Sequence, residues 1–378
     1  MGKRLCVLLL SVMMLCLSVP AQAAETTDYL DHWAKEEIQT ALQAGWVSGY
    51  PDGSFRPEET ITRAEFTRML LAAFRLTPDS ETVQFMANHS QPQTPLEDMQ
   101  GHWLADQGWL QAALVSGLVV SDDYNEHCFR PEKPVSRREI ALMTVRAMGL
   151  VYPAQTRDQP LEVADREEIP QWVRGYIRLG LEAGALTGYP DGTFRHEGTA
   201  TRGEAAAMVA RAVQCAREGA DETIRVVLRF HHAYDKRQDQ KLTLKNVPVQ
   251  VADGQIYVPA RAVFTGWNTL RQKAYGLAPS ELSARWDPIR QTIAFDHQLE
   301  WMFQAGNADY EDQGYWTGIQ PGRWQLPAPA RFLYGEIMIP VYSQTGDGTY
   351  SYWCQPDAWQ WYTNTLRLDL TAPYEPLL

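Results

Sequence analysis

The sequence predicts a multi-domain chain in which an array of α-helical repeats is followed by a mostly β module of the α+β class. Three observations predict this fold class: one short motif occurs three times in the first 217 residues, helical periodicity surrounds each copy, and strand-like runs follow residue 222. The length of 378 residues allows about two to four domains.

The first 24 residues have the composition of a secretory signal peptide. Lys3 and Arg4 precede the apolar run "LCVLLLSVMMLCLSV", and "AQAA" at 21–24 offers small residues for cleavage. The run is shorter than the about 20 residues that a membrane-spanning helix needs. We therefore expect export with cleavage near Ala23 or Ala24, and no membrane span in the mature chain.

Charge and cysteine content narrow the class of protein. The formal net charge is −12 and the chain has no basic run or stripe, so nothing supports a nucleic-acid partner. Two of the five cysteines lie in the leader, and Cys128, Cys215 and Cys354 remain, far apart and without a CxxC pair. The sequence leaves open whether any two of these three form a disulfide.

A Thr-Arg-x-Glu pattern recurs as "ITRAEF" (61–66), "VSRREI" (135–140) and "ATRGEA" (200–205). A tryptophan precedes the motif arginine by 30, 34 and 30 residues in the three copies. A turn lies between them, as "GYPDGSF" (49–55) and "GYPDGTF" (188–194), and it has diverged to "SDDYNEHCF" in the second copy. Each copy therefore predicts a helix, a turn and a second helix that opens at the motif.

Two residues of each motif are explained by helix capping. A hydroxyl residue followed three positions later by glutamate forms a capping box, in which each side chain bonds the other residue's backbone amide. The six residues interpreted as structural caps are Thr62, Glu65, Ser136, Glu139, Thr201 and Glu204.

Capping does not explain the motif arginine. A cation in the first helical turn lies near the positive end of the helix dipole, which costs about 0.3–1 kcal/mol. Free helix amides together with a guanidinium would form a site for a carboxylate or phosphate. The alternative is an ion pair with an acidic residue of a neighbouring repeat. The role of the upstream tryptophan also has two alternatives, since it could cover the core or stack on a sugar ring.

The pattern "HWA…GYPDGSFRPEETITRAEF" resembles the S-layer homology (SLH) domain, and the resemblance covers about residues 28–217. It implies three repeats packed as a pseudo-threefold bundle that binds an anionic, pyruvylated secondary polymer attached to peptidoglycan, on the cell wall or S-layer. Because the second turn has diverged, we expect an altered groove there. The residues implied as ligand contacts are Arg63, Arg137, Arg202, Trp33, Trp103, Trp172, Gly49, Tyr50, Gly188 and Tyr189.

The repeats and composition changes predict the domain boundaries. We assign a signal peptide at 1–24, repeat 1 at 28–76, a linker at 77–95, repeat 2 at 96–150, a linker at 151–160, repeat 3 at 161–217 and a β-rich domain at 222–378.

The C-terminal part is predicted from short strand-like runs. Strands are expected at 224–230, 241–251, 256–264, 335–343 and 364–370, with a hairpin turn at 252–255 and helices at 261–275 and 356–361. In the run 284–296, "DPIR" is expected to be a turn between short strands. "VPARAVF" followed by "WD" (286–287) resembles the copper amine oxidase N-terminal-like domain, a stalk-like module. That resemblance implies a non-catalytic module and neither copper nor oxidase activity.

No catalytic, metal or cofactor motif was found in the sequence, so we predict no catalytic residue, no metal site and no cofactor. Eight of the 13 tryptophans follow residue 222, which indicates either aromatic packing or a binding face. The leading hypothesis is a non-catalytic anchoring protein. One rival is a wall-anchored polysaccharide-active enzyme with two C-terminal carboxylates about 5–10 Å apart. Another is an assembly role with other surface proteins as partners.

Overall fold

The computed structural model describes residues 27–218 without a gap. Beyond them it describes 220–221, 225–231, 240–244, 247–252, 255–276, 283–296, 301–305, 309–312, 322–325, 330–334, 336–343, 359–360 and 365–371. The predicted signal peptide and Cys354 therefore lie outside the described residues.

The first part of the chain consists of helices joined by turns. The helices are α1 (Lys35–Gln43), α2 (Arg63–Ala73), α3 (Glu81–His89), α4 (Trp103–Asp106), α5 (Trp109–Val115), α6 (Arg137–Ala147), α7 (Val151–Thr156), α8 (Gln171–Glu182) and α9 (Arg202–Arg217). We call α2, α6 and α9 the motif helices, because each begins at its motif arginine as predicted. The apolar residues Phe66, Met69, Leu70 and Ala73 of α2 are buried, so this helix packs into the core through one apolar face.

Repeat 2 differs from its neighbours where the sequence has extra residues. Its first helix is broken into α4 and α5 at Gly108, which adopts a left-handed φ of +81°. In its turn, Glu126 and His127 have φ of +56° and +50°. The turns of repeats 1 and 3 place Gly53 and Gly192 in the left-handed region instead, where glycine is favoured. The insertions therefore break a helix and require non-glycine residues to take a left-handed conformation.

The two predicted linkers contain helices. The segment 77–95 includes α3, whose N-cap Ser80 accepts a hydrogen bond from Val83 N and whose Val83 and Met86 are buried. The segment 151–160 includes α7. Both segments thus pack against the repeats rather than only joining them.

The motif helices share one hydrophobic core, in which α2 contacts both α6 and α9. Short backbone bridges link the segments that precede them. These bridges join Thr60 to Thr201, Thr62 to Pro134 and Ser136 to Thr199. The three segments therefore form a closed ring, with each repeat bridged to the other two.

The C-terminal part is a β module with one long helix, α10 (Ala260–Tyr275). Its strands are β1 (Ala220–Asp221), β2 (Arg225–His231), β3 (Gln240–Leu244), β4 (Val249–Ala252), β5 (Gln255–Pro259), β6 (Ser283–Asp287), β7 (Thr292–Asp296), β8 (Trp301–Gln304), β9 (Asp309–Asp312), β10 (Gly322–Gln325), β11 (Arg331–Leu333), β12 (Glu336–Ser343), β13 (Trp359–Gln360) and β14 (Thr365–Thr371). They form sheets of order β1-β4-β5-β12-β11, β10-β9-β8-β7-β6 and β13-β14-β2-β3. Helix α10 packs on strands of the first and third sheets.

Two strand predictions and one helix prediction need correction. The run 241–251 forms two strands, β3 and β4, in different sheets; Pro248 lies between them and cannot donate a hydrogen bond to a strand ladder. The run 256–264 is a strand only as far as Pro259, and α10 begins at the next residue, Ala260. Within the helix predicted at 356–361, residues 359–360 form strand β13, because they pair with β14. The remaining residues of that segment lie outside the described ones.

The β module is docked on repeat 2. The indole of Trp286 is buried and donates from Nε1 to Val115 O at 2.6 Å. The buried Gln291 donates from Nε2 to Arg146 O, also at 2.6 Å. At Gly117, a Cβ would lie 1.9 Å from Pro288 O, so only glycine allows this approach. The "WD" segment therefore contacts the helical repeats directly.

Candidate functional site

The predicted ligand residues lie at three junctions, each formed by the motif helix of one repeat and the turn of another. Junction 1 joins Arg63 to the turn of repeat 2, junction 2 joins Arg137 to the turn of repeat 3, and junction 3 joins Arg202 to the turn of repeat 1. Each motif arginine thus contacts the turn of the next repeat: repeat 1 contacts repeat 2, repeat 2 contacts repeat 3, and repeat 3 contacts repeat 1.

The free amides expected to attract an anion are occupied by protein carbonyls, and that part of the expectation is wrong. Arg63 N and Ala64 N donate to Lys133 O and Pro131 O, both at 3.0 Å. Equivalent bonds start the other two motif helices: Arg137 N to Gly198 O, Arg138 N to His196 O, Arg202 N to Glu59 O and Gly203 N to Pro57 O. The segment that follows the turn of one repeat thus caps the motif helix of another.

Capping boxes satisfy the next amides of these helices. At α2, Glu65 N donates to Thr62 Oγ1 at 3.2 Å and Thr62 N donates to Glu65 Oε2 at 3.0 Å. The pairs Ser136 with Glu139 and Thr201 with Glu204 form the same reciprocal arrangement. The three helix starts are therefore satisfied within the protein, without a ligand.

The Arg63 guanidinium has partners within the protein. It donates from Nη1 to Phe129 O at 2.6 Å, and its Nη2 lies 2.5 Å from Glu139 Oε1. Both charged side chains are buried. Junction 1 therefore follows the alternative explanation for the motif arginine, an ion pair with an acidic residue of a neighbouring repeat.

Arg202 makes a similar but looser set of contacts. It donates to Phe55 O at 3.0 Å and to Ser48 O at 3.2 Å, and its Nη1 lies 3.5 Å from Glu65 Oε1. Because one third of the Glu65 side chain is exposed, at 33%, water shares in the solvation of this pair.

Junction 2 has a different charge balance. Arg137 donates from Nε to Phe194 O at 2.9 Å and from Nη2 to Thr187 O at 2.5 Å. Among the residues that the structure describes, no carboxylate forms an ion pair with it, unlike Arg63 and Arg202. Burial lowers the pKa of the Arg137 guanidinium, the expected direction for a cation removed from water.

An aromatic ring lies under each motif arginine. The guanidinium carbon of Arg63 is 5.5 Å from the ring centre of Tyr124, and those of Arg137 and Arg202 are 4.8 Å from the rings of Tyr189 and Tyr50. Sequence reasoning missed Tyr124, because the turn around it has diverged. The signal was available: each of these tyrosines precedes its own repeat's arginine by 13 residues. Burial raises the pKa of Tyr124 and, less strongly, that of Tyr50.

Three aspartates that sequence reasoning also missed hold the turns in place. Each carboxylate accepts from two consecutive amides, the second belonging to an arginine with a left-handed φ. The sets are Asp28 with Phe55 N and Arg56 N, Asp98 with Phe129 N and Arg130 N, and Asp165 with Phe194 N and Arg195 N, all at 2.5–2.8 Å. The only sequence signal is an aspartate five to seven residues before each repeat tryptophan.

The repeat tryptophans differ in exposure. Trp33 and Trp172 are 62% and 55% exposed, whereas Trp103 is partly buried against the core. Trp172 also lines a cavity of about 20 Å³ together with Arg138, Glu139 and Arg146 of repeat 2. Two of the three tryptophans therefore present a face to solvent, and Trp172 does so beside residues of repeat 2.

The predicted turn residues have equivalent positions in repeats 1 and 3. Tyr50 N donates to Ser54 O and Tyr189 N donates to Thr193 O, each at 2.8 Å, and Gly49 and Gly188 precede these tyrosines. At Gly188 a Cβ would lie 3.2 Å from Thr193 O, so a larger residue would crowd the turn.

Metal binding has no support among the described residues, where no group of three or more histidine, cysteine or acidic side chains is placed to hold a metal ion. Cys128 and Cys215 are not in disulfides. None of the described helices is long and apolar enough to cross a membrane.

Comparison with known proteins shows a similarity for two of the three repeats. The family model of the S-layer homology domain matches residues 25–67 and 164–206, which cover repeats 1 and 3 up to their motif helices. The chain is 28% identical over 200 residues to the cellulosome-anchoring protein of Acetivibrio thermocellus, covering 52% of this chain and 41% of that protein.

Two further relatives are similar to a comparable share of this chain. The surface-layer 125 kDa protein of Lysinibacillus sphaericus is 26% identical over 44% of this chain and 13% of its own length. The amylopullulanase of Thermoanaerobacterium thermosulfurigenes is 28% identical over 48% of this chain and 9% of its own length. The chain thus spans less than half of each of these relatives. The matches place the protein at the cell surface, attached to the cell wall.

Proposed function

We propose that the chain is a non-catalytic anchoring protein that binds an anionic, pyruvylated secondary cell-wall polysaccharide through three SLH repeats and displays the β module. In this proposal 96–150 is the middle SLH repeat, and the repeats are related by a pseudo-threefold axis. The closed ring of bridges and the three equivalent junctions support that arrangement.

Junction 2 carries the proposal. Its Arg137 is buried on two carbonyls and has no carboxylate within ion-pair distance among the described residues, so its positive charge is less closely compensated than that of Arg63. A buried charge is stabilised strongly by a counterion that reaches it. A carboxylate of the polymer would supply that counterion. At junction 1, Glu139 already occupies this role, which supports the expectation of an altered groove at the diverged turn.

Exposed groups around junction 2 would make further contacts with the polymer. Arg138 follows Arg137 in α6 and Arg195 lies over the Tyr189 ring, and each pairs with a surface carboxylate. Trp172 presents an open aromatic face on which a sugar ring can stack. A sugar that carries a carboxylate would use both kinds of contact.

The β module is proposed to be a copper amine oxidase N-terminal-like domain without catalytic activity. Its "WD" segment serves as a docking element on repeat 2, since Trp286 and Gln291 are both buried there. No observation on the described residues favours the enzyme alternative, and the similarity to the amylopullulanase covers 9% of its length.

Co-sedimentation with purified wall sacculi tests the proposal. The full chain should pellet with intact sacculi and stay in solution after the secondary polymer has been stripped. Arg137→Gln should weaken the apparent affinity about tenfold or more, because a hydrogen bond to a charged group contributes about 1.5–3 kcal/mol. Arg174→Gln is the matched control, since Arg174 lies in repeat 3 outside the junctions and bonds Ile169 O and Glu167. Equal pelleting of stripped and intact sacculi would refute polymer binding, and unchanged pelleting of a folded Arg137→Gln variant would refute the role of junction 2.

A further inference from the structure

The first helices of the three repeats end in the same way. In each, the last helical residue is followed by one capping residue and then by a glycine with a left-handed φ. The glycine N donates to the carbonyl three residues earlier, at 3.0–3.1 Å in all three repeats. A helix leaves its last carbonyls without partners inside the helix. One such carbonyl in each repeat belongs to the last helical residue, which is Gln43, Val115 or Glu182.

In repeat 2 the β module occupies this helix end. Trp286 Nε1 donates to Val115 O at 2.6 Å, and Gly117 allows Pro288 O to approach closely. Ser90, which lies in the segment that leads into repeat 2, forms a backbone bridge with Trp286. The hairpin of β6 and β7 therefore docks on three features together: a free carbonyl, a glycine without a Cβ, and the segment before the repeat.

Repeat 3 has the same features in the same order. Counted back from its glycine, Glu182 corresponds to Val115, and residues 159–162 correspond to 92–95, close behind Ser90. The bonds that close the two helix ends are also equivalent, with Gly184 N donating to the carbonyl of Leu181. The backbone that holds the hairpin on repeat 2 is thus repeated on repeat 3.

The equivalent place on repeat 3 is open within the described part of the chain. A Cβ at Gly184 would meet nothing there within 4 Å, and no backbone amide of the described residues donates to Glu182 O. A cleft of about 490 Å³ lies beside this helix end, with room for an indole. It is lined by residues 159–162 and by Arg178, Leu181 and Glu182. None of these residues belongs to a junction.

The rim of this cleft is acidic, unlike the docking surface of repeat 2. Glu162 and Glu182 are exposed at the cleft, whereas their counterparts in repeat 2 are Pro95 and Val115. Arg178 balances part of the charge of Glu182 at 3.8 Å, but Glu162 forms no ion pair with a described residue. Complementary charge selects partners and positions them, so an occupant of this cleft should carry cationic side chains.

We propose that this cleft docks a basic β-hairpin of another surface protein. The hairpin inserts an indole into the cleft, donates to Glu182 O and places cationic side chains beside Glu162 and Glu182. The proposal does not depend on polymer binding, because the junctions lie elsewhere.

The β6 and β7 hairpin of this chain illustrates the chemistry that fits. Arg285 directly precedes Trp286, and Arg290 follows in the connecting turn. Each copy of the chain uses this hairpin on its own repeat 2, so a second copy has no free hairpin to offer. The occupant is therefore a different protein with a hairpin of this kind.

A cyclic peptide tests the docking. Its sequence is that of residues 284–295 of this chain, closed by a disulfide added at its ends so that the hairpin is preorganised. Fluorescence anisotropy measures binding of the labelled peptide to the full chain, in which the tethered hairpin keeps repeat 2 occupied. The peptide should bind, and its Trp286→Ala form should bind at least tenfold more weakly, since buried aromatic anchors dominate such interfaces. No binding, or equal binding of both peptides, would overturn the proposal.

Three variants of the chain locate the peptide. Gly184→Ala places a methyl group where the hairpin backbone approaches and should weaken binding at least tenfold. Gly45→Ala is the matched control, because it has the same φ of +72° in repeat 1, and it should leave binding unchanged. Glu182→Lys, at an exposed position, should weaken binding about threefold or more by reversing the charge of the rim. Unchanged binding in folded Gly184→Ala and Glu182→Lys, or weaker binding in Gly45→Ala, would overturn the assignment to this cleft.

Sedimentation velocity of the full chain without peptide separates a different partner from a second copy. The wild type and Gly184→Ala should sediment alike, since the cleft is not used between copies. Self-association that Gly184→Ala abolishes and Gly45→Ala preserves would assign the cleft to a second copy and overturn the proposed partner.

Discussion

At the scale of single residues, the three motif arginines occupy equivalent places but have different charge partners. Arg63 pairs with Glu139, whose side chain is 8% exposed, at 2.5 Å. Arg202 pairs at 3.5 Å with Glu65, which is 33% exposed, and Arg137 bonds two carbonyls but has no carboxylate within ion-pair distance among the described residues. The arginines therefore hold the repeats together in every case, but the free energy that each contributes should differ.

We predict that Arg63→Met destabilises the protein more than Arg202→Met. Loss of Arg63 leaves the Glu139 carboxylate buried without its partner, which costs about 3–5 kcal/mol. Loss of Arg202 leaves the half-solvated Glu65, and the cost should be about 1–2 kcal/mol. Urea unfolding of the full chain measures both values.

A double variant serves as the control for this comparison. Glutamine can replace glutamate in a capping box, so Glu139→Gln removes the charge and keeps the cap. Arg63→Met with Glu139→Gln should therefore recover part of the stability lost in Arg63→Met. Equal losses for Arg63→Met and Arg202→Met, with no recovery in the double variant, would contradict the charge-burial argument.

At the scale of elements, the turns of repeats 1 and 3 have a local ionic network that the turn of repeat 2 does not share. Asp52 accepts bonds from Ser54 and Arg56, and Asp191 accepts the equivalent bonds from Thr193 and Arg195. These bonds hold the pKa of both carboxyls well below their ordinary value of 3.8. The bond from the serine or threonine hydroxyl has the largest effect, and the bond from the arginine adds to it. Each network rigidifies its turn only while the carboxylate is ionised.

We predict a pH dependence from these two turns. Because the folded pKa lies below the unfolded one, the stabilisation is complete above an unfolded pKa of about 3.9 and is lost as the pH falls towards the folded value. Between about pH 5 and pH 2, the melting temperature of the wild type should thus fall more than that of a variant with Asp52→Asn and Asp191→Asn. Parallel melting curves over this range would show that the turn carboxylates do not contribute.

At the scale of the whole molecule, the β module contacts repeat 2 at Gly117. The equivalent glycines of repeats 1 and 3 have no such contact among the described residues. Gly45, Gly117 and Gly184 follow the first helices of the three repeats with φ of +72°, +74° and +72°. A Cβ would meet nothing within 4 Å at Gly45 or Gly184 but would lie 1.9 Å from Pro288 O at Gly117. The three glycines share the same backbone conformation, but within the described part of the chain only Gly117 lies against the β module.

We predict that Gly117→Ala detaches the "WD" segment from repeat 2. All three Gly→Ala substitutions cost about 1 kcal/mol for the left-handed backbone. Only Gly117→Ala adds a clash that displaces Pro288 and weakens the bond from Trp286 to Val115. Hydrogen exchange of residues 283–296 should therefore rise in Gly117→Ala and stay unchanged in Gly45→Ala and Gly184→Ala. Similar exchange in all three variants would argue against docking through this contact.

Much of the fold was predictable because it depends on residues close together in the chain. The start of each motif helix follows from a hydroxyl and a glutamate three residues apart, and the hairpin of β6 and β7 follows from two apolar runs around "DPIR". The predicted long strand at 241–251 was wrong, and so was the predicted helix at its two described residues, 359–360, because strand partners elsewhere in the chain outweighed the local pattern.

By itself, the sequence determined the three repeats, their capped helices and the tyrosine and glycine turns, since spacing alone carries that information. Only the tertiary structure decided what the motif arginines contact: the carbonyls that they bind lie 50 to 154 residues away in the chain. The same holds for Glu139 as the partner of Arg63 and for repeat 2 as the docking surface of Trp286. Spacing along a chain specifies local hydrogen bonds, whereas the partner of a long, charged side chain depends on which distant segments pack beside it.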